Sequence, residues 1–278
     1  MKFRAKWIVL VTLMVVAATV VVAQRRGGRG FREPSMDRGG VPEWSNEAGF
    51  EQDTFVFTRV QYDSGSGRFG RGGWRTDWPD ADMNFSYRLQ QLTALKVDPD
   101  GKVIRVSDPD VYNYPFLYMA EPGSLEFDED EVKALRRYLL TGGFLMVDDF
   151  WGEAEYANLY GELKRVFPES EYEPQELPLS HPIFHGVFEL KEKPQIPNYE
   201  VGEQSQQTGV TWERSDARTP HYRAIFDSKQ RIMVIICHNT DLGDGWEREG
   251  VYEYYFREFS EKKAYPLGIN IVFYAMTH

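Results

Sequence analysis

The chain has 278 residues, 42% apolar and 15% aromatic, which is ample for a buried core and excludes collagen, coiled-coil and wholly disordered readings. A net charge of −11 argues against nucleic acid as the partner. The single cysteine, Cys237, excludes an intramolecular disulfide and a thiolate zinc site.

Residues 1–23 read as an export signal. Lys2, Arg4 and Lys6 form a basic opening, Trp7 to Val22 carries no charge, and Val21-Val22-Ala23 offers small residues before Gln24. The alternative is an uncleaved anchor, the apolar run lying just below spanning length. Either way the body is expected outside the cytoplasm, periplasmic or extracellular. Any membrane contact would run through this segment, if it is retained. Residues 24–50 read as a flexible Arg/Gly-rich linker, too poor in branched apolar side chains to offset its ordering entropy. Residues 1–43 carry a net +5, so the remainder carries −16. The folded domain is expected over residues 51–278.

Within it, Thr54 to Val60 reads as a first strand. A helix capped by Asp80 or Asp82 follows, with Phe85, Leu89, Leu92 and Leu95 at helical spacing. Pro115 to Met119 is a buried strand, broken by Glu121-Pro122-Gly123. Phe127-Asp128-Glu129-Asp130-Glu131 opens the clearest helix, where carboxylates favour the N-terminal dipole. Val132, Leu135, Tyr138 and Leu139 form its stripe, and Gly142-Gly143 ends it. Phe144 to Val147 is apolar on both faces, as central parallel strands are. A helix over 153–166 stops before Pro168. Residues 169–222 read as irregular, with a short local element at 181–190. Ala224 to Asp227 and Ile232 to Ile236 are strands around the turn at 228–230, and a last helix covers 262–276. This alternation predicts an α/β domain with a mainly parallel sheet between helical layers.

Three places could carry chemistry. In the loop from Ser64 to Asp80, Gly65-x-Gly67-x-x-Gly70 resembles a dinucleotide fingerprint, but no helix opens at its third glycine. Arg68, Arg71 and Arg75 could hold an anion there, and Trp74 and Trp78 could stack on a sugar; a loop covering the sheet edge is the plainer alternative. Asp148-Asp149 ends a central strand, where α/β sheets bind ligands. Paired carboxylates can bind metal or divide acid and base roles, or else cap a helix and pair with arginine. The third place is His238-Asn239-x-Asp241-x-x-Asp244-x-Trp246-Glu247, after a late strand. His181 and His185 have metal-helix spacing, but Pro182 intervenes. No Gly-x-Ser-x-Gly occurs, and Cys237 lies within an apolar run that would leave it inert.

Several blocks together resemble the DUF4159 family. They are Trp74-Arg75-Thr76-Asp77-Trp78-Pro79-Asp80-Ala81-Asp82-x-Asn84, Tyr114 to Met119, Leu135 to Phe150, His181-Pro182-Ile183-Phe184, Asn239 to Glu247, and Gly268 to His278. The resemblance spans residues 54–278 and implies membership of an uncharacterised family of exported proteins. It also implies a flavodoxin-like three-layer sandwich similar to class I glutamine amidotransferases. Those enzymes carry a cysteine after a central strand, where this chain has Asp148-Asp149-Phe150.

Two functions are therefore weighed. One is a non-catalytic domain that binds an envelope glycan or protein through Trp74, Asp77, Trp78, Asp82, Asn84, Asp148, Asp149, His181, Asn239, Asp241 and Trp246. The other is a hydrolase using Asp148 or Asp149, with His238 and a divalent metal. No cofactor is required by the first. Asp77, Asp148, Asp149, Asn239 and Asp241 are expected to meet in one acidic crevice.

Overall fold

The computed structural model describes residues 38, 40–47, 49, 53–65 and 73–278. The segments read as an export signal and most of the linker therefore lie outside the described residues, as do Gly67 and Gly70. Among the described residues no helix is long and apolar enough to cross a membrane.

Seven strands form the main sheet, in the spatial order β3 (Lys102–Ile104), β1 (Thr58–Val60), β4 (Phe116–Ala120), β6 (Phe144–Asp148), β9 (Ile232–His238), β8 (His221–Phe226) and β7 (Gln175–Glu176). The first five run parallel, while β8 and β7 are antiparallel additions at one edge. A small second sheet pairs β2 (Asp63–Ser64) with β5 (Leu125–Glu126). Ala120 lies beside Asp148, and Val147 beside Ile236, so β4, β6 and β9 end at one level.

Both faces of the sheet are covered, as the doubly apolar β6 requires. Phe116, Tyr118, Phe144 and Met146 belong to one buried cluster, with Phe85 of α1 (Asp80–Leu92) and Ile271 of α7 (Tyr265–Thr277). Leu117, Met119, Leu145 and Val147 belong to the other, with Leu135 of α2 (Glu129–Leu140) and Leu159 of α3 (Gly152–Val166). Alternate residues of one strand thus serve opposite layers. The α2 start is a full capping box: Asp128 accepts from the Glu131 amide at 2.7 Å, and Glu131 returns the bond to the Asp128 amide at 3.1 Å.

Several elements depart from the sequence reading: β1 covers only Thr58–Val60 of the expected 54–60, and β2, β5 and β7 were not expected. β3 is short and only partly apolar, and therefore weak as a signal. Residues 199–208, inside the stretch read as irregular, form helix α4 (Tyr199–Thr208), capped by Asn198 and closed by Gly209 at φ 68°. It has no apolar stripe to read, because it buries Gly202 and Ser205; Gly202 packs directly on the Tyr255 ring. Residues 242–247 form α5 (Leu242–Glu247). The last helix begins at Tyr265, and a π-helix over Phe256–Ala264 precedes it, after the single turn α6 (Glu253–Tyr255). Within the stretch read as linker, Arg38 pairs with Asp100, and Trp44 and Asn46 both donate to the Val97 carbonyl.

Candidate functional site

The carboxyl ends of the parallel strands carry an unusual concentration of backbone strain. Among the described residues, five non-glycine residues have positive φ; Glu121 (46°), Asp149 (59°) and Asn239 (62°) directly follow β4, β6 and β9, and Asp77 (61°) lies in the loop before α1. The fifth, Gln230, turns the β8–β9 hairpin. Such conformations cost of the order of 1–3 kcal/mol each and persist where the surroundings enforce them. Here two loops brace each other. The Asn239 amide donates to the Phe150 carbonyl at 3.0 Å, its side chain accepts from Gly152 at 2.9 Å, and Phe150 bridges to Thr240.

Asp148 is fully buried at the end of β6. Its Oδ2 accepts from the Tyr118 hydroxyl at 3.0 Å and from the Leu242 and Gly243 amides at 2.9 and 3.1 Å. Those donors favour the charged form, but burial outweighs them and pushes its pKa up to about 7. Gly243 is the meeting point of the loops. A Cβ there would lie 2.4 Å from Asp77 Oδ2, 2.9 Å from the Tyr118 hydroxyl and 3.4 Å from Asp241 Oδ1. Asp241 caps α5 through the Asp244 amide at 2.7 Å, and Asp244 accepts from the Tyr199 amide at 2.6 Å. Burial, and then repulsion from neighbouring carboxylates, raises the pKa of Asp77, Asp149 and Asp241 well above the ordinary range.

Asp77, Asp148, Asp149 and Asp241 therefore gather in one largely buried acidic cluster beyond the ends of β6 and β9, of which Asp149 lines a cavity, while Asn239, expected with them, spends its side chain on Gly152 and Thr219. The ligand atoms of Asp77, Asp241 and Asp244 lie within 4.8 Å of one another. Asp77 Oδ2 is buried without a hydrogen-bond donor. Oxygen donors at this spacing suit a hard divalent cation.

Beside this cluster is a cavity of about 210 Å³ lined by Glu121, Asp149, Trp151, Glu155, Glu213 and Arg214, with Gly123 and Ser124. Glu121, Glu155 and Glu213 were not singled out in the sequence. Glu121 directly follows β4, so the rule that finds Asp148 would also have found it; the other two sit on α3 and in an irregular stretch, with no such signal.

Several candidates do other work. Asp82 is paired with the fully buried Arg59 at 3.0 Å from its Nε. Arg59 also donates to the Trp74 and Thr76 carbonyls at 3.0 and 2.9 Å, fixing the loop that carries Asp77. Asn84 donates to the Trp246 carbonyl at 2.8 Å, and Trp246 itself is core, 4.4 Å from the Phe85 ring centre. His181 caps a short 3₁₀ turn and lies against Phe226 and Tyr274, away from the strand ends that carry the acids. The Asn239 side chain is spent on loop hydrogen bonds. His238 lies between Phe150 and Tyr156. Arg223 donates to its Nδ1, and its Nε2 faces the Gly152 carbonyl, so it is neutral and its pKa falls to about 4, chiefly through burial. Neither His238 nor the buried Cys237, whose pKa burial raises well above its usual value, is placed to act as base or nucleophile. Trp74 and Trp78 are half-buried, ring centres 6.2 Å apart, with the Arg75 guanidinium within 5.5 Å of both.

Residues 56–276 match the family described as Domain of unknown function (DUF4159). The chain belongs to the DUF4159 family. No curated relative matches it. The matched residues run from before β1 through most of α7, so every wall of the crevice lies inside the DUF4159 domain.

Proposed function

We propose that this DUF4159 chain is a binding domain of the cell envelope that holds a glycan in the acidic crevice without covalent catalysis. The observation that carries the reading is the cavity beside Asp149, whose lining combines carboxylate acceptors, an indole and a guanidinium. Sugar hydroxyls both donate and accept, so they suit such a mixed lining. Trp74, Trp78 and Arg75 offer flat faces nearby in sequence to Asp77. The envelope address rests on the segment Met1 to Ala23. The flavodoxin-like, amidotransferase-like assignment rests on the resemblance. Asp149, strained directly after a central strand, stands in the region where those enzymes carry their cysteine, and a carboxylate there cannot form a thioester.

A second reading, cation-dependent hydrolysis, draws on the close approach of Asp77, Asp241 and Asp244. Elemental analysis of the purified chain, with product analysis after incubation with cell-wall oligosaccharides, separates the two. The binding reading expects retention of oligosaccharide that is recovered intact, with chelator making no difference. Glycosidic cleavage that is lost when a stoichiometric metal is removed by chelator would replace it by the hydrolase.

A further inference from the structure

We propose that the cavity selects a ligand carrying an ammonium group next to a hydroxyl, the chemistry of an amino sugar, and that Asp149 and Trp151 read that pair. The inference rests on the glycan-binding reading and names its ligand class.

An account of the cavity's polar groups leads to these two residues. Glu121 accepts from the Gly73 amide at 2.6 Å, and Glu213 from the Asn198 amide at 2.7 Å. Glu155 accepts from the Trp151 amide at 2.7 Å and is paired with Arg214. Each of these acids has a donor within the fold. Asp149 is 7% exposed, lines the cavity, and its carboxylate takes part in no hydrogen bond or ion pair with a described residue. Trp151 is 4% exposed, and its indole N–H has no acceptor. A buried polar group left unpaired costs about 1–3 kcal/mol, so a ligand acceptor that reaches the Trp151 N–H removes that cost, while Asp149 offers its carboxylate to the cavity.

Burial and its acidic neighbours favour the protonated form of Asp149, but a bound ammonium favours the carboxylate, which only accepts, and an indole N–H only donates. The complementary ligand therefore brings a donor and an acceptor side by side, because Asp149 and Trp151 flank Phe150 on one braced loop. Charge decides which donor. Glu121, Asp77 and Asp148 all repel a negative Asp149. An ammonium relieves that repulsion, and a neutral hydroxyl does not. A bare metal ion would leave the Trp151 N–H without an acceptor. The volume of about 210 Å³ is below the roughly 300–1,000 Å³ of drug-sized sites and suits one sugar unit.

Calorimetric titration of the full chain with glucosamine, N-acetylglucosamine and glucose tests this. Glucosamine is expected to bind roughly tenfold or more tighter than the other two, which lack the ammonium. Asp149→Asn should erase that preference. Asparagine keeps the shape and tolerates the left-handed backbone at φ 59°. Trp151→Phe should weaken glucosamine several-fold while leaving the preference. Equal affinity for glucosamine and glucose in the parent chain, which needs no variant, would overturn the ammonium selection and leave the glycan reading standing. A preference that survives Asp149→Asn, with the variant folded by circular dichroism, overturns the assignment to Asp149. Binding of longer glycans but none of the three sugars overturns the inference alone. Failure of every saccharide to bind removes the reading and the inference together.

Discussion

Arg59 is the side chain on which the crevice most depends, although it touches no cavity wall. It is buried in β1, forks onto Asp82, holds the turn at Trp74 and Thr76, and lies over the Tyr118 ring at 4.9 Å. Removing one partner of such a pair leaves an uncompensated buried charge. Arg59→Met should cost about 3–5 kcal/mol in urea unfolding, and a change under about 1 kcal/mol would mean Asp82 is readily protonated or solvated instead. Asp77 is expected to behave the opposite way. Its carboxylate is buried, unpartnered at Oδ2 and repelled by Asp244 and Glu247. Asparagine also accepts its backbone at φ 61°, so Asp77→Asn should stabilise the chain by roughly 0.5–2 kcal/mol while weakening ligand binding. Destabilisation would show that Asp77 instead serves Arg59. Position after a strand was enough to single out Asp77, Asp148, Asp149 and Asp241. Composition could not show that Asp82, Asn84, Trp246 and His238 are consumed by internal partners, because a hydrogen bond to a distant carbonyl leaves no local trace in sequence.

The elements α2, α3 and the central strands were legible because their apolar residues match the layers they cover; α1 was legible through Phe85 and Leu89, but Leu92 is exposed, Leu95 lies beyond its end, and neither Asp80 nor Asp82 caps it. Helix α4 was not, since it presents glycine and serine to its neighbours and relies on Tyr255 and Phe259 for the packing. The start of α2 shows how much local signal can carry. Asp128 both caps the helix and completes the box with Glu131, so Asp128→Ala should cost about 1 kcal/mol by thermal unfolding. A cost near zero would assign that helix end to tertiary packing alone. The segment before β1 corrects a different expectation. Arg-, Gly- and Pro-rich composition reads as unpacked chain, yet the Trp44 indole reaches the Val97 carbonyl at 2.8 Å and its ring lies 5.7 Å from that of Tyr87.

For the molecule as a whole, the crowded carboxylates set an unusual response to pH. Burial pushes Glu121, Asp148 and Glu247 each to about 7, from ordinary values of 4.5, 3.8 and 4.5. The stability linked to their protons is complete below the ordinary values and is lost as pH rises through about 7. His238 works in the other sense: with its pKa lowered from 6.5 to about 4, its contribution is complete above 6.5 and is lost as pH falls through about 4. Three acids outweigh one histidine, and Asp77, Asp149 and Asp241 share the acids' sign. The ligand-free chain should therefore melt at a lower temperature at about pH 7.5 than at about pH 5, and Asp148→Asn should flatten the difference. A melting temperature that rises over that interval would mean the acids are solvated rather than buried.

On the reading proposed above, the acidic cluster and its cavity at the carboxyl edge of the sheet bind a glycan and release it unchanged. Backbone amide shift mapping of the full chain during titration with cell-wall oligosaccharides tests it most directly. Saturable shifts centred on Asp77, Glu121, Asp149, Trp151 and Glu213 are expected, with the oligosaccharide intact at the end of the titration. Shifts centred on another face, or cleavage of the oligosaccharide during it, would overturn the glycan-binding role.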